Sequence, residues 1–195
     1  MFDEVKVVMN NYMKILKRKY KLSSNEVIFS SMIIKKTIDI LDVLEYVTKK
    51  NIITVQISLI RLLCDNALAI EACNYLSLDE YMNLIYQNQK PSDVMIDEEN
   101  NLSDGMLKRR VAEKYPGFAK VYNFASSGVH LSKQALSGII KDDGERQELE
   151  VVVGNANLKD EIKMNNNSVN TLVKVIIDML RKLCNIWQYF IKIVK

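Results

Sequence analysis

The stretch from Thr54 to Tyr75 most constrains how this chain can fold. At 100° per residue it is apolar on nearly every side: Val55, Ile57, Leu59, Ile60, Leu62, Leu63, Ala67, Leu68, Ile70 and Ala72. A helix with so little polar face has to be covered by other helices, which places it at the centre of a bundle. The 195 residues suffice for one sizeable core, and 48% of them are hydrophobic against 26% charged, too apolar for disorder. With only 6 Gly and 2 Pro, collagen-like and turn-rich all-β architectures are excluded.

Helical spacing continues on both sides of that stretch. Residues 2–21 read as a first helix through Phe2, Val5, Val8, Met9, Tyr12, Met13 and Leu16, and Ser23 to Glu26 supply cap residues for a second helix reaching about Lys50. A short helix over Asp79–Asn88 is followed by an exposed loop from Lys90 to Asn101. Ser103-Asp104 caps a basic helix through Tyr115, and Pro116-Gly117 breaks the chain before another helix over 116–129. Asn165-Asn166-Asn167-Ser168 reads as the cap of a last helix to about Ile193. Asp143-Gly144 between β-prone stretches predicts a small β-hairpin insertion over 136–153. The expectation is an all-α, single-domain helical bundle spanning 1–195, carrying that insertion.

Cys64, Cys73 and Cys184 fall inside apolar helical patterns, as buried free thiols do in a reducing compartment. The first turns carry charge and no apolar signal core, and Asp178, Arg181 and Lys182 interrupt the apolar run from Val169 to Val194. The expectation is therefore a cytoplasmic chain without a membrane. A net charge of +3 leaves any contact with RNA to local patches. The candidates are Lys17 and Arg18 within the Lys14–Lys21 cluster, and Lys108, Arg109 and Arg110. A charged helix end also complements the helix dipole, so these clusters carry a structural reading as well.

No phosphate loop, nucleophile elbow or metal-ligand spacing occurs, so neither a metal nor a cofactor is expected. Two polar features remain. On the central helix Thr54, Ser58, Arg61 and Asp65 share a narrow arc, with Arg61 and Asp65 spaced for pairing. Further on, Tyr122, Ser126 and His130 recur at four-residue spacing, and His130 is the only histidine. Imidazole is the side chain that carries protons near neutrality. Together the two features would gather a cation, a carboxylate, two hydroxyls and an imidazole. Such a group is either a satisfied internal network or a site for a ligand or a reaction.

Arg61-Leu-Leu-Cys-Asp65 resembles the Arg-x-x-x-Glu element of a family of bacterial helical proteins related to the HEPN superfamily. The segment from Tyr122 through Ser126 to Val129-His130 is similar to that family's Tyr-x-x-x-Ser-x-x-Val-His element. The resemblance implies a ribonuclease-like, phage-defence or toxin protein, or a non-catalytic dimerising bundle. Asp65 stands where glutamate is usual. No arginine occupies 123–125, the slots that catalytic HEPN ribonucleases fill ahead of their histidine.

Two functions follow as alternatives. In the first, a metal-independent ribonuclease-like enzyme uses His130 as general acid or base, with Arg61 stabilising phosphoryl charge and Tyr122 and Ser126 positioning it. In the second, a non-catalytic helical module binds a protein partner or a second copy as a homodimer, and Arg61, Asp65 and His130 are structural.

Overall fold

The computed structural model describes residues 2–50, 52–97, 100–129, 140–142, 149–151 and 159–184. Among them the fold is all-helical in its core. The helices are α1 (Asp3–Lys19), α2 (Asn25–Lys49), α3 (Ile53–Ala72), α4 (Leu78–Tyr86), α5 (Asp104–Lys114), α6 (Phe118–Val129) and α7 (Lys159–Leu183).

Local chemistry sets most of their ends. α1 opens on Asp3 and Glu4 and closes on Lys17, Arg18 and Lys19, each sign at the dipole end that favours it. The Ser24 hydroxyl accepts from the Val27 amide at the start of α2, and the Ser103 hydroxyl from the Met106 amide at the start of α5. α4 begins with a full capping box between Ser77 and Glu80. Gly117 separates α5 from α6 with φ near 96°, a conformation that side chains with a Cβ rarely adopt.

One expectation is corrected. Residues 165–168 lie inside α7, which starts at Lys159, and do not cap it. Asn and Ser cost only a few tenths of a kcal/mol inside a helix, so cap-type residues do not by themselves stop one. Residues 185–195, including the expected core positions Trp187 and Phe190, lie outside the described residues.

The predicted hairpin also falls largely outside them. Within 136–153 the structure describes two three-residue strands, Ile140–Asp142 and Leu149–Val151, paired antiparallel with Lys141 opposite Glu150.

α3 is the hub, packing against α2, α5, α6 and α7. Ile60, Leu63, Cys64 and Ala67 are fully buried there, and one contiguous core joins them to Phe29, Leu41 and Leu44 of α2 and Val173 and Ile176 of α7. By length and composition α3 could cross a membrane, yet it carries Arg61, Asp65 and Glu71, and here its partners are protein. α1 is tied to the end of α7 by polar bonds. The Tyr12 hydroxyl donates to the Leu180 carbonyl (2.9 Å), and Tyr20 and Lys19 both donate to the Cys184 carbonyl (3.1 Å each).

The three cysteines are free and buried. Burial pushes the Cys64 and Cys73 thiols up from about 9 to about 12. Native protein is therefore expected to resist thiol reagents at neutral pH until it unfolds, as a timed thiol-release assay would read. The pH dependence follows. Below about 9 both folded and unfolded chains keep neutral thiols, whereas between about 9 and about 12 only the unfolded chain ionises them. Stability should fall with rising pH across that window, and replacing both thiols by alanine should flatten the fall in urea titrations.

Candidate functional site: a three-helix polar cluster around Arg61

Arg61 projects from the middle of α3 toward the start of α5 and the middle of α6. Its Nη2 donates to the Tyr122 hydroxyl (2.6 Å) and to Asp104 Oδ2 (3.0 Å), while Nη1 pairs with Asp65 one turn along α3. The guanidinium also lies over the Tyr122 ring, 4.2 Å from its centroid. Tyr122 closes the triangle by donating to Asp104 Oδ2 at 3.2 Å. Ser126, one turn further on α6, lies close enough to Tyr122 to favour ionisation of its hydroxyl.

Burial pushes the Tyr122 hydroxyl above its ordinary value; Arg61 opposes the shift and Asp104 reinforces it. The phenol stays protonated at neutral pH and remains a donor to Asp104. Arg61 keeps 19% of its side chain exposed against 64% for Asp104, so the cluster runs from the helix junction out to solvent.

A cleft of about 300 Å³ opens beside it, lined by Arg61, Asp65, Asp104, Lys90, Ser92 and Leu107 among others. Pro91 and Leu102 line it as well. Asp97 accepts from the Asn100 amide (2.8 Å), and Leu102 N–H donates to the Val94 carbonyl (3.1 Å).

Four of the five residues that sequence singled out thus meet: Arg61, Asp65, Tyr122 and Ser126. His130 lies outside the described residues. Thr54 and Ser58 take no part in the contacts around Arg61, and Ser58 donates back to the Thr54 carbonyl at 3.0 Å. Sequence reasoning missed Asp104, which it read as a cap residue. The available signal was donor arithmetic: a guanidinium carries five N–H groups, more than Asp65 alone can satisfy.

The basic candidates separate. Lys108 sits 5.4 Å from the Tyr122 ring centroid and donates to Asn123 Oδ1 at 3.1 Å, so it belongs to the α5–α6 contact. Arg110 pairs with Glu113 at 3.2 Å, and Arg109 is exposed. Lys17 and Arg18 are exposed on α1, which packs on α2 rather than in this helix group.

Charge limits what the cluster can do. One guanidinium lies between two carboxylates, so Arg61, Asp65 and Asp104 together carry a net negative formal charge, which the nearby Lys108 and the Lys90 of the cleft lining offset. A phosphoryl group entering here meets two carboxylates along with the one arginine. Among the described residues no group of three His, Cys, Asp or Glu side chains is placed to hold a metal ion.

Compared with family models, curated proteins and solved structures, the chain finds no match.

Proposed function

We propose that this chain is a non-catalytic helical interaction module in which the Arg61 cluster is a brace. The observation that carries this reading is that the Arg61 guanidinium is committed to Asp65 as an ion pair and to Asp104 and Tyr122 through Nη2. A brace needs an arginine committed to partners on three helices, whereas phosphoryl chemistry needs one with positive potential to spare. The buried unlinked thiols fit a reducing, cytoplasmic setting. The reading keeps residues 136–153 as a proposed β-hairpin appendage.

Arg61→Leu tests it. Three partners lose their donor, but Asp65 and Asp104 can turn to water, so the expected cost is about 1–2 kcal/mol. At roughly 2–4 °C per kcal/mol in a domain of this size, the melting temperature should drop by several degrees. Tyr122→Phe keeps the ring under the guanidinium and loses only the hydroxyl, so it should cost about half as much.

A second reading, the HEPN-like ribonuclease, has one observation in its favour: the cleft beside Arg61 also presents Lys90 and Ser92. Incubation of concentrated protein with mixed RNA separates the two. Intact RNA supports the brace, and cleavage abolished by Arg61→Leu and His130→Ala replaces it with the enzyme.

A further inference from the structure

An open groove of about 790 Å³ lies between α2 and α3, with Tyr81 and Ile85 of α4 also in its lining. One wall is a stripe on α2 made of Met32, Lys36, Asp39 and Val43, and the other includes Leu59 and Leu62 of α3. Met32 and Val43 are each 45% exposed and Leu62 is 40% exposed, a concentration of apolar surface beyond scattered single residues. The stripe steps by four, three and four residues, so its members share one helix face.

The stripe reads the same in both directions: apolar, charged, charged, apolar, with the two charges of opposite sign. We propose that this groove seats a second copy of the same chain, with α2 of each protomer running antiparallel to α2 of the other about a two-fold axis level with Thr37 and Ile38. In that arrangement Met32 meets the partner's Val43 and Lys36 meets the partner's Asp39, and symmetry repeats each contact. Parallel packing would set Lys36 against the partner's Lys36 and Asp39 against the partner's Asp39, so charge selects the antiparallel form.

The isolated protomer carries the complementary signs of incompleteness. Lys36 is exposed and has no ion-pair partner among the described residues, although partial desolvation in the groove pushes its ammonium below the usual lysine value. Among the described residues Asp39 is held only by Lys35 on the same helix, at 2.6 Å, in a pair with both side chains mostly exposed. Such pairs contribute little, so Asp39 is free to accept from a second lysine. Leu59 and Leu62 give the partner's Met32 an apolar surface to rest on.

This inference names a partner for the interaction-module reading and rests on it, but the two fail separately. RNA cleavage would remove the module reading, whereas a chain that is monomeric and leaves RNA intact would remove only this partner.

The test is a charge swap read by light scattering and sedimentation over a micromolar concentration range. Wild type should dimerise. Lys36→Asp places two aspartates opposite each other at both symmetric contacts, and Asp39→Lys does the same with lysines. Each should weaken dimerisation by at least about tenfold while leaving the circular-dichroism spectrum unchanged, since both side chains are exposed. An equimolar mixture of the two variants pairs Asp with Lys at every contact and should restore a mixed dimer. The double variant Lys36→Asp/Asp39→Lys should self-associate like wild type. Wild type that stays monomeric throughout, or a mixture that does not restore the dimer, overturns the proposal. So does a long-chain fatty acid that binds the groove of a monomeric wild type.

Discussion

Lys114→Met is expected to cost the fold about 3 kcal/mol, because it strands a carboxylate inside the bundle. Glu71 lies on the last turn of α3 with its side chain fully buried. Lys114 at the end of α5 reaches it with Nζ at 2.6 and 2.9 Å, and Asn74 donates a further bond at 2.9 Å. Without the ammonium, Glu71 keeps one amide donor in a site that water does not reach. The pair also joins α3 to α5, so its loss should loosen the seam that positions Asp104 beside Arg61. Urea unfolding at neutral pH measures the cost. The control is Glu71→Gln in the same chain, which removes the stranded charge and should recover most of the loss. If the double variant is no more stable than Lys114→Met alone, the buried charge is not the cause.

Leu63→Ala should have an effect of similar size for a different reason. Leu63 is fully buried on α3 where the hub meets its neighbours, and truncation leaves a cavity that fixed helices cannot close. The expected loss is about 3 kcal/mol, or roughly 10 °C in melting temperature. Leu62→Ala, one residue away and 40% exposed, should stay within about 0.5 kcal/mol of wild type. It should weaken self-association instead. Melting curves and sedimentation on the two variants would show that adjacent leucines on one helix do different work, one inside the protomer and one at its surface.

The hub position of α3 was legible because a helix that is hydrophobic around its full turn has to be covered, and within a bundle the cover is other helices. Ser24 and Ser103 were legible as caps because their chemistry is local. Asn165 to Ser168 misled for the converse reason: local chemistry marks where a helix can start, while the packing of Val169, Leu172, Val173 and Ile176 on α3 is compatible with a helix that begins earlier. The meeting of Arg61 with Tyr122 could be anticipated from the scarcity of polar groups on two otherwise apolar helices. Asp104 could not, since nothing in a one-dimensional pattern says that the first turn of α5 folds over the middle of α3. Glu71 was missed similarly. It stands among Ile70, Ala72 and Cys73 with no sign of the lysine that reaches it from another helix.

Asp65 lines both the α2–α3 groove and the cleft beside Arg61, as do Ala69 and Tyr81. It is a party wall. An occupant on one side that draws its carboxylate away from Arg61 must alter the electrostatic potential felt on the other. Thermodynamic linkage makes that influence mutual and equal in free energy. Occupants that engage this carboxylate from the two chambers are therefore coupled through it.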